Sequence, residues 1–556
     1  MACLTAAGFY SGFVSAQSLG ANGNPVEQLP APPSGPGPRG RATSNIAPAP
    51  PQPQEAPGRS VTPVRFDIEG VQSISFDEVA ALFQPFAGQP TSVAKLADVA
   101  RQVTAIYQKA GYALSFAFLP QQDFAGGVVR VVAVEGYVAS ITYDGDAGKA
   151  TPKVRELTER IRQEKPLTRA SFERYTQLVA QLPGVRVDAR ALPPTQTDGA
   201  GAMTVKVSHQ PFSVSLGTDI RTAKPRAVLT GVLNDPFVAG GRLTASTLVG
   251  GLQGESFVAG SYSQVFGTEG LTVKGDLSEY RGNPDAQLST PPAIHRFTTY
   301  KRAELSASYP LTLTQTKSLF ISGGAYAVNN ADDYSNPLNG AVLADRVHVR
   351  AVYAQASYSN AGETQSRSVT GRLVQGLNGA GASSGITTNV AGPVPVNPAK
   401  LDFTRVLLEG SQRNIWDKTW GTALSFSTQY SPHTLPSFER VSFGSARFGR
   451  AYTAGVIAGD SGWGLGLEGN RSFAVDMKYA SKIQPYVLLE RARVYSHLGA
   501  GPFARLASAS LGVRISDGSY YTFDLAASKP VGDAAPDNPD RKARLSALIS
   551  YNFERR

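Results

Sequence analysis

Cysteine is nearly absent from this sequence: Cys3 is the only one among 556 residues. It falls in a stretch that reads as removed on export. A mature chain without thiols has no disulfide and no thiolate metal site, which suits an oxidising compartment. Histidine is scarce too. His209, His295, His348, His433 and His497 stand far apart in the sequence. None has metal-ligand spacing, and no phosphate-binding glycine loop with its lysine occurs, so no metal and no cofactor are expected. No run of about 18 apolar residues is present, which argues against transmembrane helices. A membrane is still open, because a transmembrane barrel alternates lipid-facing apolar residues with lumen-facing polar ones and keeps its mean hydropathy low. Here that mean is −0.16, with 17% charged residues. The formal charge of +10 comes from Arg and Lys scattered singly along the chain. With no basic helix or cluster, that pattern speaks against nucleic acid and for a basic pore lining or a lipid-facing rim.

What is present comes in four textures. Residues 1–16 carry an apolar run and a small-x-small site, Val14-Ser15-Ala16, as in a secretory signal whose start can lie upstream of Met1. Residues 17–60 form a linker with eleven prolines between Pro25 and Pro57, too poor in apolar residues to build a core and without an amphipathic helix. Residues 61–138 and 139–210 each read as strand–helix–helix–strand–strand. In the first, Ser75 caps a helix bearing Phe76, Val79, Ala80 and Phe83 on one face, and Gly111 stops a second helix. In the second, helices near residues 153–164 and 169–182 precede strands at 185–191 and 203–207. From residue 211 to 556 short alternating segments recur between Asn, Asp, Gly and Pro turns. Sixteen candidate strands are expected there, eleven of them before one long loop. An even count returns the chain to its starting side, as a closed bacterial barrel requires. The last segment sets Leu545, Ala547, Ile549, Tyr551 and Phe553 on one face.

The long loop, residues 435–462, is rich in Gly and Ser and too long for a hairpin turn. Unstructured loops beyond about 12–15 residues are usually functional or disordered. It contains Arg450-Ala451-Tyr452, then Gly455, then Gly459-Asp460-Ser461-Gly462-Trp463. An arginine on a solvated loop needs no partner, whereas one buried in a lumen needs a carboxylate.

Two enzyme-like patterns are loop composition. Gly459-Asp460-Ser461-Gly462 resembles a serine-protease nucleophile segment, but no companion histidine motif appears. Gly381-Ala382-Ser383-Ser384-Gly385 matches G-x-S-x-G inside a Gly/Ser/Asn loop, residues 376–392, without the strand and helix that a nucleophile elbow needs. No enzyme activity is indicated.

These motifs resemble the two-partner secretion transporters of the FhaC/ShlB type. Their RG(F/Y) tripeptide falls on Arg450, Ala451 and Tyr452, with Ala451 in the glycine place, and their GD-x-GW falls on residues 459–463. Their barrel-wall motif F-x-D-x-G falls on Leu488, Glu490 and Ala492. The landmarks of their POTRA domains fall on Gly111-Tyr112, on Pro120, Gln122 and Asp123, and on Glu135-Gly136. The resemblance implies a mainly β fold: an outer-membrane barrel of about 16 strands behind two periplasmic α+β POTRA domains. It also implies that the loop folds into the barrel and that Arg450 pairs with Glu490. A plug helix is common in the family, and this leader shows none. The expected partners are a secreted exoprotein with an N-terminal secretion domain, outer-membrane lipid, and the barrel-assembly machinery reading Phe553. A BamA-type assembly factor and a plain porin or uptake channel are the alternatives.

Overall fold

The structure is a computed structural model that describes residues 24, 26, 29, 42–48, 59–220, 226–250, 254–283, 294–417, 419–445, 447–499, 503–535 and 538–553. The expected signal segment and most of the linker lie outside the described residues.

Residues 59–136 pack two helices, Phe76–Phe83 and Val93–Lys109, on a three-stranded sheet ordered Arg65–Glu69, Val128–Val134, Phe116–Phe118. Ser75 accepts from the Glu78 N–H and Ser92 from the Lys95 N–H, so each helix begins with its first free amides satisfied. Residues 137–209 repeat the plan, with helices Thr151–Gln163 and Arg169–Gln181 on strands Tyr137–Asp146, Val185–Leu192 and Ala200–His209. A fourth strand, Ala42–Ile46 from the leader, joins this second sheet.

Sixteen antiparallel strands then close a barrel: β1 Phe212–Asp219, β2 Arg226–Asn234, β3 Gly241–Val249, β4 Ser256–Phe266, β5 Leu271–Gly282, β6 His295–Leu313, β7 Lys317–Asn336, β8 Ala341–Ala361, β9 Gln365–Gly376, β10 Thr404–Ile415, β11 Trp420–Tyr430, β12 Ser461–Arg471, β13 Ala480–Tyr495, β14 Arg505–Ser516, β15 Tyr521–Pro530 and β16 Arg544–Asn552. Closure pairs β16 with β1, Asn552 opposite Ser215 and Leu548 opposite Asp219, and leaves the wall without an open edge. Phe553 is exposed beyond that seam and donates its N–H to Val214 O at 3.1 Å. Among the described residues no helix is long and apolar enough to cross a membrane, which says nothing about a barrel.

Three strands are longer than the pattern of alternation shows. β6, β7 and β8 run for 19, 20 and 21 residues, about twice what crosses a bilayer. Their outer halves carry polar residues on both faces, Asn330 and Asp332 buried on one and Asn329 and Asp333 more exposed on the other, so the apolar–polar alternation disappears. For the same reason the stretch read as a Gly/Ser/Asn loop holds a strand, Ser383–Thr388, paired with Leu343–His348 at the tip of β8.

The second α+β unit sits on the barrel's entrance. Arg174 donates to Glu269 Oε2 at 3.0 Å and to Pro310 O at 3.2 Å, and Tyr175 donates to Glu269 Oε1 at 3.1 Å. His209 and Asp235 meet at 2.9 Å where the unit joins the wall. Since this unit marks the starting side, the turns after odd-numbered strands face away from it.

Candidate functional site

Residues 431–460, between β11 and β12, turn into the barrel. Their stem is a short hairpin, Val441–Phe443 against Ile457–Gly459. Asp460, with no exposed surface, ties the base: Oδ1 accepts the Leu435 N–H at 2.8 Å, Oδ2 accepts the His497 N–H at 2.9 Å, and Arg440 lies 3.3 Å away. Two main-chain donors and the Arg440 guanidinium supply the partners that a buried carboxylate requires. Ser461 exchanges hydrogen bonds with the Ser431 main chain, so the Gly-Asp-Ser-Gly run is a structural clasp.

The hairpin rests on a glycine stripe. On β12 the inward positions Gly462, Gly464 and Gly466 precede the inward Glu468. A Cβ on Gly464 would stand 2.5 Å from Phe448 Cδ2, and one on Gly462 would stand 2.8 Å from Arg493 O and 3.0 Å from Val441. Bare backbone at these places lets the loop approach the wall. Phe448, at φ 53°, is held by that seat and by Phe443, whose ring lies 5.9 Å away nearly edge-on. Val441, Phe443, Ala451, Tyr452, Val456 and Ile457 then form an apolar cluster with Ala492 and Val494 of β13 and Leu506 of β14. Tyr452 donates to Ala507 O at 3.0 Å and to Asp533 O at 3.1 Å.

Ala451 fits where the motif has glycine because its own φ is not positive. The glycines flanking it, Gly449 at 108° and Gly455 at 67°, are the ones whose positive φ favours glycine. A Cβ on Gly459 would stand 2.5 Å from Tyr495 O.

Arg450 is at the tip, and here the sequence expectation needs correction. Its guanidinium does not pair with Glu490. It bridges to Asp524 on β15, Nη1 to Oδ1 at 3.3 Å and Nη2 to Oδ2 at 3.1 Å, and also donates to the Tyr486 hydroxyl. Glu490 Oε2 instead accepts the main-chain N–H of Arg450 at 2.7 Å and the Ser508 hydroxyl at 2.8 Å. With its carboxylate engaged by those two donors, Glu490 anchors the backbone of the tip, and the side chain reaches on to the next carboxylate. Leu488 and Ala492 share the inward face of β13 with Glu490. Arg491 and Arg493 point outward near the strand's far end, and Arg493 stacks on Tyr495 at 5.0 Å.

Asp524 belongs to a ladder of alternating charge. Tyr486 donates to its Oδ1 at 2.6 Å and Arg514 to its Oδ2 at 3.2 Å; Arg514 in turn grips Glu468 through both nitrogens at 2.7 and 2.6 Å. Three more pairs hold the loop: Arg447 to Glu409 at 2.5 Å, Arg405 to Glu439 at 2.8 Å, and the Tyr326 hydroxyl to Glu439 at 3.0 Å. Two-point arginine–carboxylate contacts fix orientation as well as energy. The strand alternation that marks Glu468, Arg514 and Asp524 as inward was available in the sequence; their convergence on one tip was not.

The landmarks of the first α+β unit are structural. Glu135 accepts the Gln72 and Ser73 N–H groups at 2.8 and 2.6 Å, the Ser73 hydroxyl at 2.6 Å and the Tyr107 hydroxyl at 3.0 Å. Burial pushes its carboxyl up, but the Ser73 and Gln72 donors outweigh this and hold it below its ordinary value. A Cβ on Gly136 would stand 2.5 Å from Leu114 O. Gly111, at φ 96°, ends its helix, and its carbonyl accepts the Arg169 N–H at 2.8 Å, which joins the two units. Tyr112 lies 6.4 Å from Tyr107, ring to ring. The Gln122 amide pairs with both main-chain groups of Arg130, Gln122 also donates to Pro120 O, and Asp123 caps the turn at Ala125.

Among the described residues no cluster of His, Cys, Asp and Glu has the makings of a metal site. Ser383 meets His348 at 3.1 Å on exposed strands, with no helix behind it of the kind a nucleophile elbow requires.

A family model described as "POTRA domain, ShlB-type" matches residues 61–136. The outer-membrane transporter CdiB of Escherichia coli O6:K15:H31 is 31% identical over 104 residues, 19% of this chain and 18% of the relative. The heme/hemopexin transporter protein HuxB of Haemophilus influenzae (strain 86-028NP) is 22% identical over 115 residues, 20% of each chain. The matched stretches thus span about a fifth of these curated relatives. The solved structure of CdiB from Escherichia coli superposes with a TM-score of 0.66 at 18% identity, covering 91% of this chain and 94% of that one. BamA from Haemophilus ducreyi lacking POTRA domains 1–3 reaches 0.51 at 15% identity, over 89% and 100%. The chain shares with these structures the fold of a closed β-barrel behind α+β units, the first of which matches the POTRA model. Over the matched stretches it is similar to proteins named as transporters, CdiB as one of the outer membrane.

Proposed function

We propose that this chain captures an unfolded exoprotein on its POTRA units and passes it through the barrel once residues 431–460 leave their seat. The observation that carries the reading is the placement of Arg450: a loop tip, held inside a closed wall by Asp524, Tyr486 and Glu490, occupies space that a translocating chain would need. Ion pairs suit a reversible lock, because a wetted lumen can take up each charge as the loop departs. An exposed POTRA sheet edge can add an extended cargo segment as a strand, with main-chain hydrogen bonds supplying affinity without a fixed sequence. The cargo is a large secreted protein of adhesin or haemolysin type with an N-terminal secretion domain, and neither nucleotide nor metal takes part.

The test is co-expression with a candidate cargo, a large secreted protein with an N-terminal secretion domain sought in the neighbouring reading frame. Wild type should deliver it to the medium, while Arg450→Ala leaves it in the periplasm with the barrel still folded. Loss of other outer-membrane proteins on depletion of this chain, with cargo export intact, would favour the assembly-factor reading instead.

A further inference from the structure

The second α+β unit meets the barrel through a very short connector. Only Gln210 and Pro211 separate strand Ala200–His209 from β1. Around them the joint is closed mostly on main-chain acceptors. Gln210 donates its N–H to Gly184 O at 2.9 Å, and the Asn234 N–H reaches Pro211 O at 2.7 Å. The Asn234 side chain donates to Gln210 O at 2.8 Å, and Lys149 Nζ to Pro236 O at 3.2 Å. The fit is close: a Cβ on Gly184 would stand 2.3 Å from Gln210 O. None of these carbonyls changes charge with pH.

One contact of the joint does. His209 Nε2 stands 2.9 Å from Asp235 Oδ2, and the two side chains are 11% and 1% exposed. Among the described residues neither atom has a further hydrogen-bond partner. Asp235 opens the turn between β2 and β3, where its Oδ1 accepts the Gly240 N–H at 2.6 Å. The imidazole is backed by Gly148, whose Cβ position lies 3.1 Å from Nδ1. The other charged groups around the pair come from three elements. Arg242 on β3 donates to Asn234 Oδ1 at 3.1 Å. Lys149 and Asp146 belong to the turn ahead of helix Thr151–Gln163, and Asp146 accepts the Gly148 N–H at 2.8 Å. Arg186, on the neighbouring strand, lines the same cleft as His209. Arginine, lysine and aspartate side chains ordinarily titrate far from neutrality, and an imidazole close to it, at about 6.5.

We propose that His209 and Asp235 form a pH-sensitive latch on this joint, closed in acid and released as the pH rises through neutrality. Once released, the second α+β unit swings about Gln210 and Pro211 at the barrel entrance. The direction follows from the buried carboxylate. In acid the imidazolium supplies the charge that such a group requires; on deprotonation the ring loses it and the pair weakens. Burial also pushes the Asp235 carboxyl up, against the lowering by the Gly240 amide and His209. This group too therefore holds a proton more readily in the closed joint than in water, a contribution present at low pH and lost as the pH rises. Arg174 and Tyr175 hold Glu269 on the turn after β4 without an imidazole, so that contact serves as the pivot. The remaining histidines are remote from the joint. His295, His433 and His497 adjoin turns after odd-numbered strands, and His348 is on the outer half of β8. The latch sets how the unit faces the entrance, which the export reading neither requires nor predicts.

The experiment uses the full chain in detergent, in a Cys3→Ser background. Spin labels are placed on Gln196→Cys, at the end of the second unit away from the joint, and on Glu363→Cys, in the turn after β8, both exposed. Their distance distribution is read by pulsed electron resonance at about pH 5.5 and about pH 8, either side of the imidazole value. With His209 in place the distribution should be narrow in acid and several-fold broader at the higher pH. His209→Gln should be broad at both, and His209→Lys, which carries a charge throughout, narrow at both. A distribution that ignores pH with His209 in place, a pH response that survives in His209→Gln, or breadth at both values in His209→Lys would each overturn the proposal. Heat-shifted gel mobility of each variant establishes a closed barrel first, so a lost fold is not mistaken for an open joint.

Discussion

Arg450 and Asp524 are 74 positions apart in sequence, yet the guanidinium of one spans both oxygens of the other at 3.3 and 3.1 Å inside the barrel. Glu490, one register step from the tip, takes the main-chain N–H of Arg450 and not its charge. Backbone and side chain of one residue are thus held by two different carboxylates on two different strands.

Because the two jobs are divided, the two carboxylates should differ under mutation. Asp524→Asn leaves Arg450 and Arg514 facing a neutral amide. Breaking a buried pair in this way costs about 3 kcal/mol, so the loop should unseat and cargo export should fall more than tenfold. Glu490→Gln keeps an oxygen for the Arg450 N–H and should retain export within a few-fold. Export assays on the two variants decide the point; a more severe Glu490→Gln would restore the pairing expected from the motif.

A charge reversal should fail as a rescue. In Arg450→Asp with Asp524→Arg, the new arginine would sit beside Arg514, which now donates to Asp524 at 3.2 Å. Like charges at that separation repel in a low-dielectric lumen. The double variant should export no better than Arg450→Ala, whereas a simple isolated pair would be rescued.

The glycine stripe predicts a steric effect. Gly464→Val puts a branched side chain where Phe448 atoms stand 2.5 and 2.7 Å from the Cβ position. Overpacking of this kind costs about 1–3 kcal/mol, enough to displace the hairpin. Trypsin added to intact cells should then cut after Arg447 or Arg450 several times faster than in wild type. Gly466→Ala, whose Cβ would lie 3.6 Å from Phe448 and 2.8 Å from the movable Ser425 hydroxyl, should change cleavage little.

In the first POTRA unit, Glu135 makes a pH-dependent clasp. Its folded value is lowered, so its contribution is complete above the ordinary carboxylate value and is lost as pH falls through the lower folded value. With two main-chain and two hydroxyl donors, the clasp is worth about 2–3 kcal/mol. Hydrogen exchange at Gln72 and Ser73 in the full-length protein should be several-fold faster in Glu135→Gln at pH 7, and the difference should shrink as the pH approaches 3.

Much of this molecule is legible in the chain itself. Period-two alternation betrays a strand wherever one face meets lipid or core and the other does not. This is why sixteen strands, the helices of both α+β units and the inward set of Glu468, Glu490, Arg514 and Asp524 follow from local pattern. Ser75, Gly111 and the Gly-Asp-Ser-Gly run are legible for a related reason: caps and turns are local hydrogen-bonding problems. What local pattern cannot settle is which inward residues meet. The partner of Arg450, the landing of Phe448 on Gly464 and the joining of Ala42–Ile46 to Val185–Leu192 depend on the stagger of strands around a closed wall and on the path of segments that lie across it. Those are properties of the assembled cylinder, set by many weak pairings at once, and only the tertiary structure decided them.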